Sequence, residues 1–391
     1  MPEAELLRIN IIHMGFLYSG GGERVVLEQT RRLRARGHEV RLFSPIIRWE
    51  KSFPAALREV APERIVPQFP FPFPFREASA MVASAAIPFR MKEIADCDVL
   101  LCHSQPSMWI GYRTNLLYGT PYVGYLHQLT TFIHHRPEVA GNWATKGDFM
   151  VLDGLLGLFG RPAARALDRL CHKKANMLLF NSAWTKELFE REYGVSGSVC
   201  YPAIGGYTRP AEVRRNTILT ASRHYPWKRI DLAFHILKLL KTGPTLIVTG
   251  AETPHTLTLK QIAARMDLDR RVVFTGFISD EELFSLYATS RAYLQTSINE
   301  PFGLGPIEAQ SMGSPSVVWG DAGVKETVLD GESGFHAKPY DINDFAAKLD
   351  MILGDEEVQV EMSRIAQAWA SRFSWDSHMD ILERVLDEQK R

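Results

Sequence analysis

Short apolar runs alternate with amphipathic stretches along almost the whole chain. In the first half these runs are R-I-N-I-I-H (8–13), H-E-V-R-L-F-S (38–44), D-V-L-L-C-H-S (98–104), Y-V-G-Y-L-H (122–127) and N-M-L-L-F-N-S (176–182). Each has the length of a strand and ends at a polar residue where a turn begins. Buried strands separated by helical stretches predict a parallel sheet with crossover helices on its faces.

The same pattern starts again near residue 216. Five more strands are predicted, at T-I-L-T-A-S-R (217–223), P-T-L-I-V-T-G (244–250), R-V-V-F-T-G-F (271–277), A-Y-L-Q-T-S (292–297) and P-S-V-V-W-G (315–320). Proline and glycine cluster between residues 201 and 210, which is typical of a linker. We therefore predict an α/β protein with two Rossmann-like domains, residues 1–203 and 204–373. The last amphipathic stretch, about 374–391, is predicted to be a helix that packs back on the first domain.

Two stretches of the first domain depart from this pattern. Q-F-P-F-P-F-P-F-R (68–76) alternates proline with phenylalanine, which favours an extended polyproline-like path over a central strand. Residues 132–171 contain Trp143 together with several leucines, phenylalanines and arginines. We hypothesise that both stretches form an apolar, partly basic lip that contacts a membrane or a lipid-linked acceptor. Ordinary packing of long loops on the first domain is the alternative.

Composition narrows the class of protein. The 391 residues are 46% hydrophobic and 23% charged with no net charge, so they fit a two-domain globular protein and give no support for nucleic-acid binding. The four cysteines form no C-x-x-C pair and predict buried thiols in a reducing cytosol. The start of the chain lacks a signal-peptide pattern, and no apolar run approaches the ~20 residues of a membrane helix. We expect a cytoplasmic protein, with the inner face of a membrane as an additional location.

The segment N-E-P-F-G-L-G-P-I-E-A (299–309) carries the strongest chemical signal. Its prolines and glycines keep Glu300 on a loop, whereas Glu308 lies inside the helix that follows. A helix N-terminus offers unpaired N–H groups and a partial positive charge, both of which attract phosphate. Carboxylates on each side can accept hydrogen bonds from hydroxyl groups. N–H groups that bind phosphate, flanked by carboxylates that accept hydrogen bonds from hydroxyl groups, suit a sugar nucleotide.

Two other motifs lie at predicted strand ends. Arg223 and Lys228 follow the first strand of the second domain, where a ligand of such a sheet binds, and their charges suit a diphosphate. The Gly20–Gly22 loop follows the first strand of the chain, but it is not G-x-G-x-x-G, and the second strand ends at Ser44 without an acidic residue. A nicotinamide site is therefore disfavoured. The triple glycine alone fits a tight structural turn equally well.

Taken together, these motifs resemble a retaining glycosyltransferase of the GT-B fold, in glycosyltransferase family 4 (the group 1 glycosyl transferases). The resemblance covers nearly the whole chain and is carried by G-G-G-E-R (20–24), Y-L-H (125–127), S-R-H-Y-P-W-K-R (222–229), V-V-F-T-G-F (272–277), E-P-F-G-L-G-P-I-E-A (300–309), D-A-G-V-K-E-T-V (321–328) and the final F-S-W. It implies two Rossmann-like domains facing across a cleft. The chain is similar to mannosyltransferases of O-antigen and lipid-linked oligosaccharide assembly.

The resemblance also implies roles for single residues. Glu300 would contact hydroxyls of the donor sugar, and Glu308 the ribose of the nucleotide. Arg223 and Lys228 would neutralise the diphosphate leaving group. His127 would lie beside the donor sugar at the reacting face. The other donor-binding positions implied by the family are Gly21 and Gly22 on the first domain, Phe277 and Ile278 beside the base, and the backbone of Phe302, Gly303, Leu304 and Gly305 around the sugar and the distal phosphate.

Several points stay open at the level of sequence. The family often has glycine at Ser222 and glycine or asparagine at Arg229, so Arg229 either touches phosphate or caps a helix. W-K-R-I-D-L-A (227–233) is similar to the corresponding segment of those mannosyltransferases, and this resemblance favours GDP-mannose as donor, with UDP-hexoses left open. No D-x-D motif stands in a loop and His134-His135 have no third ligand at usable spacing, so no metal or other cofactor is expected; retention rests on the resemblance alone. A non-hydrolysing sugar-nucleotide epimerase and a catalytically silent binding protein are the alternatives to a transferase.

Overall fold

The computed structural model describes residues 6–66, 89–130, 133–134, 160–205 and 213–391. The Phe-Pro run at 68–76 and most of the 132–171 stretch lie outside these residues, as does His135. The chain divides into two compact units, one formed by residues 1–202 and 376–391 and the other by residues 203–375. Each is described by itself below as unit 1 and unit 2.

Unit 1 is built on a seven-stranded parallel sheet with the order β3-β2-β1-β4-β5-β6-β7. The strands are β1 (Arg8–His13), β2 (Glu39–Ser44), β3 (Glu63–Arg64), β4 (Val99–His103), β5 (Tyr122–Leu126), β6 (Met177–Phe180) and β7 (Ser198–Val199). Strands β1, β4 and β5 are almost wholly buried, which explains their continuous apolar sequences. The chain changes direction across the sheet between β1 and β4, so a ligand site is expected at their carboxyl ends.

Helices cover both faces of this sheet. The described ones that precede unit 2 are α1 (Gly21–Ala35), α2 (Pro54–Val60), α3 (Met91–Ala95), α4 (Ser107–Tyr118), α5 (Arg161–Lys173) and α6 (Ala183–Tyr193). Helix α6 shows how local sequence sets the ends: the Ser182 hydroxyl accepts the N–H of Thr185 at the start, and Gly194 (φ 64°) ends the helix. All four cysteines are buried free thiols, as the sequence predicts.

Unit 2 repeats the architecture with a six-stranded parallel sheet in the order β10-β9-β8-β11-β12-β13. Its strands are β8 (Arg215–Ala221), β9 (Thr245–Thr249), β10 (Val272–Gly276), β11 (Ser290–Gln295), β12 (Ser316–Trp319) and β13 (Gly334–Ala337), and its described helices are α7 (Ile230–Leu239), α8 (Pro254–Arg265), α9 (Asp280–Thr289), α10 (Leu304–Ser311), α11 (Ile342–Gly354) and α12 (Glu356–Ala370). Two Rossmann-like parallel sheets confirm the predicted fold class.

The final helix, α13 (Trp375–Gln389), belongs by its contacts to unit 1. Its buried residues recur with helical spacing at Trp375, His378, Met379, Leu382, Val385 and Leu386. Polar contacts reinforce the apolar face: the His378 imidazole lies 2.9 Å from the Gln29 amide nitrogen, and Arg36 and His38 pair with Glu383. Within the described residues, no helix is long and apolar enough to cross a bilayer.

Truncating the centre of the α13 face should destabilise the protein. Leu382 is completely buried, so Leu382→Ala is expected to lower the free energy of unfolding by about 2–5 kcal/mol. The matched control is Leu117→Ala at the end of α4, where the side chain is 57% exposed and the change should stay within about 0.5 kcal/mol. Urea denaturation measures both values, and equal small losses would show that α13 does not pack as described.

Candidate functional site

The candidate site of unit 2 lies at the point where the chain changes direction across the sheet. Strand β8 is central, flanked by β9 and β11, so the loops after β8 and β11 leave the same edge. The loop after β8 carries Arg223 and Lys228, and the loop after β11 carries Glu300 and leads into α10 with Glu308. The structure therefore places Arg223, Lys228 and Glu300 in the two loops where open parallel sheets bind ligands, and Glu308 in the helix that follows the second loop.

Lys228 and Glu300 form an ion pair at the centre of this edge. The Lys228 Nζ lies 2.6 Å from Glu300 Oε2, and the two side chains are 20% and 17% exposed. The Lys228 carbonyl accepts the Thr296 hydroxyl at 3.3 Å, and the Thr296 carbonyl accepts the Trp319 indole N–H at 3.1 Å. The backbone at Lys228 is thus tied to Thr296, the residue after β11, and through it to the buried Trp319. The sequence predicts both charges at the site but not their direct contact.

The backbone of Glu300 holds the D-A-G-V-K-E segment in place. The Glu300 carbonyl accepts the N–H groups of Gly323 and Val324 at 3.0 and 3.2 Å. The preceding residue, Ala322, is buried and has φ 54° and ψ −160°, a backbone conformation that is essentially reserved for glycine. Its N–H donates to the Asp321 carboxylate at 2.7 Å. A strained turn therefore lies directly beside the candidate site.

Glu308 is held from a neighbouring helix. Its side chain is buried, and its Oε2 accepts the Tyr287 hydroxyl of α9 at 3.1 Å. Below the start of α10, the Tyr293 hydroxyl fills the space that a side chain at Gly305 would need, so a methyl group there would collide with it. Burial raises the pKa of Tyr293 well above its usual range, so the phenol stays protonated. Nothing in the spacing of Tyr287 indicated its contact with Glu308.

Arg223 lies against an aromatic stack. Its guanidinium carbon is 5.1 Å from the centroid of the Tyr225 ring, and that ring stacks on Trp227 at 4.5 Å with an interplanar angle of 14°. The chain leaves β8 so close to β9 that a side chain at Gly250 (φ 136°) would collide with the Ser222 carbonyl. Two local constraints thus position Arg223 at the carboxyl edge.

Arg229, Phe277 and Ile278 are the next positions of unit 2 that the sequence singled out. Arg229 occupies the position before α7, and its guanidinium pairs with Asp231 through two 3.1 Å hydrogen bonds without capping the helix through its side chain. After β10, the Phe277 ring is 75% exposed and Ile278 is half-buried. An exposed aromatic ring at a strand's carboxyl end is available for stacking on a flat ligand.

In unit 1 the predicted residues also lie at strand ends. Gly21 and Gly22 are the first two residues of α1, and a methyl group added at Gly22 would meet no atom within 4 Å. Internal packing therefore does not require the glycine at position 22. His127 follows β5 and is half-buried.

His127 belongs to a cluster of histidines. His13 and His103 end the adjacent strands β1 and β4, and His103 Nδ1 lies 3.4 Å from His127 Nε2. Burial lowers the pKa of His127 to about 4, with the nearby His378 adding to the effect, and lowers that of His13 to about 3. The imidazoles are therefore neutral at physiological pH. The sequence indicated His103 and His127 at strand ends; His378 comes from the distant helix α13 and could not be predicted.

The structure offers no clear metal centre in the part of the chain that it describes. Among those residues, no three His, Cys, Asp or Glu side chains come together as ligands of one ion. His134 instead hydrogen-bonds the Tyr193 hydroxyl at 2.5 Å.

Comparison with known proteins gives a consistent result for both units. The family model "Glycosyltransferase Family 4" matches residues 19–205, and "Glycosyl transferases group 1" matches residues 209–369. A D-inositol 3-phosphate glycosyltransferase of Corynebacterium urealyticum is 32% identical over 129 residues, which cover 33% of this chain and 30% of the relative. The serotype-specific mannosyltransferase WbdA of Escherichia coli is 26% identical over 164 residues, 40% of this chain and 20% of the relative. These matches span less than half of the relatives' own length.

Solved structures share the fold over nearly the full chain. Anabaena HepE, crystallised in complex with UDP and glucose, has a TM-score of 0.77 at 20% identity, covering 98% of this chain and all of that one. The apo form of the lipopolysaccharide outer core galactosyltransferase WaaB has a TM-score of 0.71 at 18% identity, with 97% and 99% covered. At these identities the likeness shows the GT-B fold alone.

Relieving the turn at Ala322 should stabilise unit 2. Ala322→Gly is expected to raise the free energy of unfolding by about 1 kcal/mol, because the relieved backbone strain exceeds the entropy that glycine adds to the unfolded chain. Ala309→Gly, in the buried part of α10, is the control and should lower stability by about 1 kcal/mol or more. Chemical denaturation reports both changes. A loss of stability in both variants would contradict the strain assigned to residue 322.

Proposed function

Since this chain belongs to the group 1 glycosyl transferases of glycosyltransferase family 4, we propose that it moves a hexose from a nucleoside diphosphate sugar to a carbohydrate or lipid-linked acceptor. The observation that carries the proposal is the Lys228–Glu300 ion pair at the switch point of unit 2. It sets a cation for the diphosphate and a carboxylate for sugar hydroxyls within 2.6 Å of each other. The boundary between phosphate and sugar is expected at this position.

The leaving group calls for fixed positive charge. Cleavage of the bond between the sugar and the diphosphate leaves negative charge on the terminal phosphate. Arg223, Lys228 and the N–H groups at the start of α10 stabilise that charge, so the proposed reaction needs no metal ion. When the phosphate engages Lys228, Glu300 is released from its partner and accepts hydrogen bonds from hydroxyls of the sugar.

The nucleoside part is assigned to the far end of α10. We assign the ribose hydroxyls to Glu308, whose carboxylate is held by the Tyr287 hydroxyl at Oε2. Phe277 and Ile278 border the base. The donor GDP-mannose is favoured by W-K-R-I-D-L-A (227–233) and by the partial match to a mannosyltransferase. UDP-hexoses are the alternative.

The transfer step is proposed to retain the anomeric configuration, as the family resemblance implies. The acceptor oxygen bonds to the anomeric carbon from the face that the leaving group departs. The bond from that carbon to the phosphate oxygen breaks with its electron pair, and the acceptor's proton passes to the leaving phosphate. His127 contributes a contact to the transferred sugar.

Ligand binding and turnover test this proposal together. GDP or UDP, at about 100 times its Kd, should stabilise the protein by about 2.7 kcal/mol, which thermal-shift measurements detect. Turnover should require an acceptor and survive EDTA, and NMR of the product should show the donor's anomeric configuration. Isomerised donor without acceptor would indicate an epimerase, and absence of turnover with every donor and acceptor pair would indicate a binding protein.

Substitutions separate the roles of the charged residues. Glu308→Ala and Lys228→Ala should weaken binding of the free nucleotide about tenfold or more, since each removes a charged contact. Glu300→Ala should lower kcat while nucleotide affinity stays equal or rises, because Lys228 loses its internal partner. Lys238→Ala and Glu356→Ala, both exposed, are matched controls. Equal loss of affinity in the three site variants would contradict the assignment.

A membrane surface is the second partner that we propose. Helix α5 exposes Leu167 (42%) and Leu170 (39%) and ends at the exposed residues Lys173 and Lys174. Apolar and basic side chains on one helix suit the boundary of an anionic bilayer, where a lipid-linked acceptor would be reached.

Vesicle co-sedimentation tests the membrane contact. The protein should bind vesicles rich in anionic lipid at low salt, and Leu167→Asp with Leu170→Asp should weaken binding about tenfold through lost apolar burial and added repulsion. Leu239→Asp in unit 2, where the leucine is equally exposed at 42%, is the control and should bind normally. Failure of the unaltered protein to bind at low salt would refute the proposal.

A further inference from the structure

One of the histidines at the carboxyl edge of unit 1, His103, has no role in the proposed reaction. His103 ends β4, is fully buried and pairs in register with His13 on one side and Tyr125 on the other. Its ring is nearly parallel to that of His127, with centroids 5.7 Å apart and planes at 28°. Within the described residues, the side chain of His127 makes its hydrogen bond with His103, from Nε2 to His103 Nδ1 at 3.4 Å.

The direction of this hydrogen bond follows from the other nitrogen of His103. His103 Nε2 is buried and has no hydrogen-bond partner in the described part of the chain. If His127 donated, the His103 proton would have to sit on Nε2, as a buried N–H without an acceptor. If His103 donates from Nδ1, the unpaired atom at Nε2 is a lone pair. We take this as the favoured state, since a buried N–H group without an acceptor is rarer in native proteins than a buried acceptor without a donor.

We infer that His103 is a positioning residue that holds His127 in its Nδ1–H tautomer. The Nε2 lone pair of His127 then accepts the hydrogen bond from His103, and Nδ1–H is left as the donor of the His127 ring. The inference rests on the proposed function for the identity of the ligand, a hydroxyl or ring oxygen of the sugar. The tautomer itself depends on unit 1 alone.

The charges around His127 agree with a neutral donor. Among the described residues, the titratable groups that contact this ring or interact with it electrostatically are His13, His103, Tyr125 and His378, and none of them is anionic. Burial keeps the pKa of His103 well below its usual range and that of His127 at about 4. A cation at either ring is therefore disfavoured above that pH. His127 positions an oxygen through its N–H, and the acceptor's proton passes to the leaving phosphate.

Imidazole 15N NMR tests the tautomer directly. In the ligand-free protein, His127 should give a pyrrole-type signal at Nδ1 and a pyridine-type signal at Nε2, assigned by comparison with His127→Gln. In His103→Phe the His127 signals should shift towards the Nε2–H form, which a free imidazole side chain prefers. A protonated Nε2 in the unaltered protein, or unchanged signals in His103→Phe, would overturn the inference whatever the enzyme's substrate.

Kinetics then test the consequence. His103→Phe should lower kcat/KM about tenfold, the value of one misplaced hydrogen bond, with nucleotide affinity unchanged. In His103→Asn the amide can donate from nearly the same place as Nδ1, so activity should return to within about threefold and the His127 signals to those of the unaltered protein. His172→Phe is the control for a buried histidine of unit 1 away from this cluster and should retain kcat/KM.

The two proposals fail in different ways. If no donor is turned over while the NMR signals behave as expected, the proposed function fails and the positioning role of His103 stands. If His103→Phe and His103→Asn lose activity equally with no change at His127, the positioning role fails and the proposed function stands.

Discussion

The ion pair between Lys228 and Glu300 is the interaction on which the arrangement of unit 2 depends. It joins the loop after β8 to the loop after β11, and these are the two loops that leave the sheet at its switch point. The Glu300 carbonyl fixes the next segment through Gly323 and Val324, so three connections are tied to one residue. Because both charges are mostly withdrawn from water, leaving either one without a partner is costly, so a ligand that separates the pair has to offer a new partner to each charge.

Unit 1 uses a different chemistry at the equivalent edge. At its central strands lie neutral imidazoles, of which His13 and His103 are buried and His127 is half-buried. Their arrangement fixes the direction of single hydrogen bonds, whereas the edge of unit 2 fixes charge. One sheet is therefore suited to hold a diphosphate, and the other to orient an uncharged group.

The sequence predicted secondary structure best where the local pattern of residue types allows few alternative structures. The buried strands β1, β4 and β5 could be predicted because continuous apolar runs mark them. The helix start between Glu300 and Glu308 could be predicted because the glycines and prolines before it set the local backbone conformation. Strand β13, with four residues and a single large apolar side chain, was missed, as were the two-residue strands β3 and β7. The partners of the predicted residues were also missed: Tyr287 meets Glu308 only through the rotation of α9, and His378 joins the histidines from 251 residues beyond His127. Such contacts depend on packing, which spacing along the chain does not encode.

The docking of α13 on unit 1 makes unit 2 an insertion within a discontinuous domain. The Gln29–His378 contact closes a loop of 349 residues. During synthesis the first 202 residues leave the ribosome before the helix that covers part of their core. That helix, α13, is made only after all of unit 2 has been synthesised. The apolar surface under α13 is exposed throughout that interval. Final folding of unit 1 is therefore coupled to completion of the chain, and a nascent chain arrested within unit 2 would be a substrate for chaperones.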